Sequence, residues 1–160
     1  MAITHNKISG VSDGADTDVV RPSDWNAGHV IAKVASDNLR NSHDAEVSTT
    51  SLTYELMKTM TINEKLLGTV RIKFDLKVNT STVGTGYGKI YHNGVALGIE
   101  QTDTTGSYVP KSEDITHNFA VGDTLEIWGH YAAPAFGASV RNFRLYYDNG
   151  DIVTVSTTNS

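Results

Sequence analysis

The stretch "GTVRIKFDLKVN", residues 68–79, alternates between apolar and polar side chains. Successive side chains of a β-strand point to opposite faces, so one face of this segment is apolar and the other is charged. The apolar face consists of Val70, Ile72, Phe74, Leu76 and Val78, and the charged face of Arg71, Lys73, Asp75 and Lys77. The pattern predicts an antiparallel strand with one face on a core and the other in water.

Shorter runs of the same kind follow, each bounded by a turn signal. Asn93-Gly94 divides "GYGKIYHNGVALGIEQ", residues 86–101, and predicts a type I′ hairpin because both residues tolerate a positive φ. Gly122-Asp123 predicts another turn, before a strand through Leu125 and Ile127. Residues 47–160 are expected to hold about seven to nine strands without a helical pattern, which predicts an all-β antiparallel β-sandwich or jelly roll.

Residues 1–46 have a different pattern. Their apolar side chains occur singly or in pairs between Asp, Ser, Asn and Gly, so the segment cannot bury a face of its own. It is expected to form an extended, mostly irregular N-terminal arm, with the β-sandwich domain beginning at residue 47. Within the arm, Ser23 can cap a short helical turn that ends at Gly28 and presents Trp25 on one side.

Composition narrows the classes of function. The net charge is −5 and the thirteen Lys and Arg residues form no concentrated basic run, so no nucleic-acid partner is expected. The absence of cysteine excludes disulfides and thiolate zinc sites. No stretch resembles a signal peptide or approaches the roughly 18 apolar residues of a membrane span, so no membrane association is expected.

Catalytic and phosphate-binding motifs are missing. "GTGYGK", residues 84–89, lacks the spacing of a phosphate loop and leads into a predicted strand. Glu113 and Asp114 are adjacent on a predicted strand, so they point to opposite faces and are poorly placed to share a substrate. The six dispersed histidines are expected to be surface or turn residues. We therefore predict that the chain is not an enzyme and has no cofactor.

One cluster of carboxylates is a candidate for a metal site. Asp13, Asp16 and Asp18 lie within six residues in "SDGADTD". A helical calcium loop needs a following glutamate and alternating ligands, which this stretch lacks. A solvated turn is favoured, and calcium is the alternative.

Aromatic residues near the end of one predicted strand raise the question of a sugar site. Trp128, Tyr131 and Phe136 lie close together in "IWGHYAAPAFG", residues 127–137. Trp128 and Tyr131 are candidates for contacting a glycan, because sugar sites often stack an aromatic face against a pyranose ring. In the alternative interpretation the same two side chains close one end of the sandwich core.

Residues 3–31, "ITHNKISGVSDGADTDVVRPSDWNAGHVI", resemble the N-terminal segment of tailed-phage and prophage virion proteins of the tail or the capsid decoration. The resemblance rests on "RPSDWN", residues 21–26, followed by His29, while Asn6 stands where a second histidine is often seen. "FAVGDTLEIWGHY", residues 119–131, is similar to the Gly-Asp strand of trimeric jelly-roll modules in phage fibres, decoration proteins and animal ligand domains. These resemblances imply a virion location and a homotrimer.

Two functions are therefore carried forward. The first is a structural virion protein, as a tail fibre, tail accessory or capsid decoration, that self-associates through its sandwich and docks onto other virion proteins through its arm. The docking residues would be Arg21, Pro22, Trp25 and His29, since aromatic and arginine side chains concentrate binding energy at interfaces. The alternative is a receptor- or carbohydrate-binding module at a fibre tip, with a host-surface glycan on Trp128 and Tyr131.

Overall fold

The structure is a computed structural model that describes residues 2–3, 29–30, 34–79, 84–133, 136–148 and 157–159. The chain divides into two compact units, Met1–Ala32 and Lys33–Ser160. In the first unit, β1 (Ala2–Ile3) pairs antiparallel with β2 (His29–Val30). The described part of the chain contains no helix long and apolar enough to cross a membrane.

Most residues of interest in the predicted arm lie outside the described residues. These are the docking residues Arg21, Pro22 and Trp25, and the calcium candidates Asp13, Asp16 and Asp18. The backbone of His29 is described, and it pairs with Ile3 between β2 and β1. The docking role and the calcium site therefore stay predictions.

The second unit is a sandwich of two antiparallel sheets. The first sheet contains β3 (Val34–His43), β4 (Val47–Thr49), β6 (Thr69–Val78), β10 (Val109–Thr116) and β12 (Ala138–Asp148). Its order is β10-β6-β12-β3, and β4 pairs with the start of β12. The second sheet contains β5 (Glu55–Ile62), β7 (Gly86–His92), β8 (Val95–Ala96), β9 (Gln101–Asp103), β11 (Thr124–Tyr131) and β13 (Thr157–Asn159). Its order is β13-β5-β11-β7-β8, and β9 also pairs with β7.

The strand pairs are nested inside one another along the chain. The innermost pair joins β7 to β8 and β9, the next joins β6 to β10, the next joins β5 to β11, and the outermost joins β3 and β4 to β12. Successive pairs alternate between the two sheets, which is the topology of a jelly roll. The predicted all-β jelly roll is confirmed. Ten strands are described after residue 46, and four of them have three residues or fewer. Such short strands leave little alternation in the sequence, which explains why the pattern indicated fewer.

The alternating stretch forms β6 and fills the core as predicted. The side chains of Val70, Ile72, Phe74, Leu76 and Val78 are all buried, and the residues between them are half-buried. They pack against inward-facing side chains of the second sheet, which include Met60, Ile62, Ile90, Leu125 and Ile127. The predicted hairpin at Asn93-Gly94 is also confirmed, with φ values of 50° and 76° that match a type I′ turn.

The start of the sandwich differs from the predicted boundary. β3 lies within the segment predicted as an arm, yet it pairs with β12 from Val34 opposite Asp148 to His43 opposite Phe143. Residues 34–43 therefore belong to a sheet of the sandwich. The sequence "VASDNLRNSH" lacks a regular alternation because β3 is at the edge of its sheet and shifts register twice against β12.

Candidate functional site

The outer side of the second sheet carries a group of aromatic rings, which we call the aromatic face. Its strands alternate in burial, with Ile90, Leu125 and Ile127 facing the core, so the intervening residues of β7 and β11 point outward. The aromatic face consists of Tyr54, Tyr87, Tyr91, Trp128 and His130, all half-buried. Cross-strand pairing places Tyr87 and Tyr91 of β7 beside His130 and Trp128 of β11.

The rings of the aromatic face form two stacks. The Tyr91 and Trp128 rings are parallel to within 22°, with centroids 4.9 Å apart. The Tyr87 and His130 rings are parallel to within 4°, with centroids 4.2 Å apart. Tyr54 lies between the stacks, with its ring centroid 4.6 Å from that of His130 and 6.0 Å from that of Tyr91. Each such contact contributes about 0.5–1.5 kcal/mol beyond burial, so the five rings support one another.

Tyr54 reaches the aromatic face from the segment before β5. The backbone N–H of Tyr131 donates to the carbonyl of Ser51, which holds this segment beside the end of β11. The Tyr54 hydroxyl donates to Glu100 Oε2 at 2.8 Å, on the far side of β7. Burial and the neighbouring Glu100 carboxylate raise the pKa of Tyr54, so its hydroxyl remains a donor at neutral pH.

Glu126 fixes the orientation of Trp128. The two residues are two positions apart on β11 and both point outward. Glu126 is buried, with 7% of its surface exposed. Its carboxylate accepts hydrogen bonds from Trp128 Nε1 (2.6 Å), Thr124 Oγ1 (2.5 Å) and the backbone N–H of Gly94 (3.2 Å). Three donors offset the desolvation of a buried carboxylate. The indole is thereby held flat against Tyr91, and the β7–β8 turn is tied to β11.

The two aromatic residues predicted to contact a glycan point to opposite sides of the sheet. Trp128 lies on the aromatic face, whereas Tyr131 is fully buried in the core. The prediction that Tyr131 contacts a glycan is therefore wrong, and the alternative role in the core is confirmed for Tyr131. The reason is the spacing, because residues three apart on a strand face opposite ways.

Tyr87 and Tyr91 are not among the site residues predicted from the sequence, although the sequence carries a signal for them. In "GYGKIYH" they alternate with Gly86, Gly88 and Ile90, which all face the core. A Cβ on Gly88 would lie 2.8 Å from the Phe74 ring, so this glycine makes room for core packing. The glycine-rich run was correctly predicted to lead into a strand, and its glycines explain which side of that strand carries the tyrosines.

Two other polar clusters lie away from the aromatic face. As predicted, Glu113 and Asp114 point to opposite sides of β10: Glu113 accepts from the backbone N–H of Ile99 at 3.0 Å, and Asp114 pairs with Arg71 at 2.7 Å. At the hairpin end, His92 Nε2 is 2.9 Å from a carboxylate oxygen of Asp123. A hydrogen bond from the Asn93 side chain and one from the Ala120 N–H lower the pKa of Asp123 to about 2. Within the described ranges, no group of three or more His, Asp or Glu side chains is arranged to hold a metal ion.

Comparison with known proteins gives a likeness of fold only. No protein-family model matches the chain, and a comparison with curated proteins gives no match. Among solved structures, the chain is similar to the xylan-binding domain CBM22-1 of Paenibacillus barcinonensis Xyn10C, with 10% sequence identity and a TM-score of 0.42. The alignment covers 71% of this chain and 97% of that domain. At this level the likeness extends to no particular residue.

Proposed function

We propose that the sandwich is a carbohydrate-binding module and that the aromatic face is its binding surface. The observation that supports this is the Trp128–Tyr91 stack, which lies on the solvent side of a rigid sheet with its indole held by Glu126. A ring fixed in this way loses little conformational entropy when a pyranose ring stacks on it. Of the two glycan-contacting residues predicted from the sequence, Trp128 is retained, and Tyr91 replaces Tyr131.

The surroundings of the stacks suit hydroxyl-rich ligands. Thr102 is exposed on β9 and pairs in register with Tyr87, so it lies at one border of the aromatic face. Lys89 lies between Tyr87 and Tyr91 on the same strand. A binding site that combines apolar ring surfaces with a few hydrogen-bonding groups orients its ligand as well as binding it.

Polysaccharide binding tests this proposal directly. In affinity electrophoresis through gels containing soluble plant, fungal or bacterial polysaccharides, at least one polymer should retard the wild-type chain. Trp128→Ala should weaken that interaction about tenfold or more, because loss of a central aromatic contact typically costs about 2 kcal/mol or more. Trp128→Phe should keep part of the affinity.

Tyr146→Ala provides a matched control. Tyr146 is a half-buried tyrosine on β12, on the outer side of the first sheet. This variant should bind as the wild type does, and circular dichroism should show that both alanine variants are folded. Equal binding by Trp128→Ala and the wild type, or no retardation by any polymer, would contradict the proposal.

We further propose that the chain is a structural protein of a virion and forms homotrimers. The support is the resemblance of residues 3–31 to the N-terminal segment of tailed-phage and prophage virion proteins, with Trp25 as the principal docking side chain. Phage particles produced with Trp25→Ala should contain less of the protein than particles produced with the wild type, measured by quantitative immunoblot. Sedimentation equilibrium of the full chain should give the mass of a trimer. A monomer in solution, or equal incorporation of Trp25→Ala, would overturn this second proposal.

A further inference from the structure

A lysine stands within the aromatic face. Lys89 is half-buried and outward-facing on β7, with Tyr87 two residues before it and Tyr91 two residues after it. On β11, its register partner is Trp128. At the described outward positions of β5, β7 and β11, Lys89 is the sole lysine or arginine, since Lys58 faces the core. Its position in the sheet is therefore flanked by Tyr87, Tyr91 and Trp128.

The nearby carboxylates already have partners. Glu100 accepts from the Tyr54 hydroxyl, and Glu126 accepts from three donors. Lys89 forms no ion pair or hydrogen bond with any residue in the described part of the chain. An ammonium group without a carboxylate partner in the protein remains available to a ligand anion.

Cations on the opposite side of the sandwich are arranged differently. On the outer side of the first sheet, Arg71 pairs with Asp114 at 2.7 Å, and Lys77 lies 3.5 Å from Glu46. These cations are neutralised within the protein. Lys89 is thus distinguished from Arg71 and Lys77 by its lack of a carboxylate partner.

We propose that Lys89 makes the aromatic face selective for an anionic polysaccharide, with a carboxylate or sulfate group next to the pyranose ring that stacks on Trp128. The proposal rests on the proposed carbohydrate-binding function and names the class of ligand. Directly paired residues on adjacent strands have Cβ atoms about 4.5–5.5 Å apart, so a substituent of a sugar stacked on Trp128 lies within reach of the Lys89 side chain. The ion pair then adds to the stacking, and the two together discriminate against neutral polymers.

The test compares charged and neutral forms of related polymers by isothermal titration calorimetry at low ionic strength. The probes are polygalacturonate, its methyl ester, a sulfated galactan and an unsubstituted galactan. The wild-type chain should bind one anionic polymer about tenfold or more tightly than its neutral counterpart, and the preference should shrink with added salt. Comparison of the affinity for polygalacturonate with that for the sulfated galactan identifies which anionic group the protein prefers.

Two variants that each remove one positive charge distinguish a specific role of Lys89 from an effect of net charge. Lys89→Met should abolish the preference for the anionic polymer while a weak affinity for both forms remains, whereas Lys77→Met should keep the wild-type preference. A wild-type chain that binds both forms equally, or a Lys89→Met variant that keeps the preference, would overturn the selectivity while leaving the binding function intact. If Lys77→Met lost the preference as completely as Lys89→Met, the preference would be due to net charge, and the role of Lys89 would be overturned. Equal binding by Trp128→Ala and the wild type would instead overturn the binding function itself.

Discussion

Lys58 is a lysine inside an apolar core. It lies on the inner side of β5, is 1% exposed, and its Nζ donates to the backbone carbonyl of His43 at 3.1 Å. Because β5 belongs to the second sheet and His43 ends β3 of the first, this hydrogen bond links the two sheets. Burial lowers the pKa of Lys58, since a charged ammonium loses hydration in the core.

The lowered pKa makes stability depend on pH in a defined direction. Between the folded-state pKa of Lys58 and the ordinary lysine value, the unfolded chain binds more protons than the folded chain, so the free energy of unfolding rises with pH. Lys58→Met should lack this contribution. Urea unfolding of both proteins between pH 7 and 10 should give a stability difference, wild type minus variant, that increases with pH.

Parallel pH profiles for the two proteins would contradict this account of Lys58. The comparison between variants is needed because Tyr54 and Tyr108 have raised pKa values and lower the stability of both proteins at still higher pH. Their contribution cancels in the difference. At pH 7 the variant should unfold at a urea concentration equal to or above that of the wild type, because a methionine in the core avoids the desolvation of a charge.

At the scale of the strands, the β10 edge of the first sheet is protected against further pairing. On β10, Pro110 cannot donate a hydrogen bond, while Lys111 points inward and pairs with Asp103 of β9 at 3.0 Å. Inward-pointing charges and proline are the usual means of preventing edge-to-edge association. On the other side, β3 and β4 together cover β12. Removal of β3 would therefore expose most of a long central strand.

Two N-terminal deletions test the place of β3 in the sandwich. A chain beginning at Lys33 keeps every strand of the second unit, and we expect it to unfold at a temperature within a few degrees of that of the full chain. A chain beginning at residue 47 lacks β3 and therefore loses the pairing of residues 34–43 with β12. It should unfold at a much lower temperature or aggregate through β12. Equal thermal stability of the two deletions, measured by circular dichroism, would contradict the assignment of residues 34–43 to the sandwich.

At the scale of the whole sandwich, the two outer sides have different chemistry. The first sheet presents alternating charges that pair with one another, together with Tyr108, whose ring contacts both Lys77 and Arg141. The second sheet presents stacked rings around one lysine without a carboxylate partner. A surface whose charges pair with one another gains little free energy from binding a ligand. Stacked aromatic rings at the boundary with solvent gain more, because a ligand removes their apolar surface from water. Ligand binding is therefore expected on one side only.

The fold was more predictable from the sequence than the candidate site. The alternation in β6 and the Asn93-Gly94 turn are local patterns, and both led directly to the jelly roll. The aromatic face joins residues from three separate segments, and Tyr54 reaches it by crossing β11 from outside any strand. Which strands become neighbours depends on long-range pairing that no short stretch encodes. The opposite orientations of Trp128 and Tyr131, by contrast, follow from their spacing alone.

The nesting of the strand pairs has a consequence for how the chain folds. The β7–β8 hairpin closes a two-residue turn, whereas the outermost contacts, such as that between Arg40 and the Tyr147 carbonyl, join residues 107 positions apart. Closing a longer loop costs more chain entropy, but each inner pair that has already formed shortens the loop left for the next. The order of strand pairing with the lowest entropy cost begins at Asn93-Gly94 and proceeds outward. The transition state for folding should therefore contain the inner pairs, and β3 should be among the last strands to join.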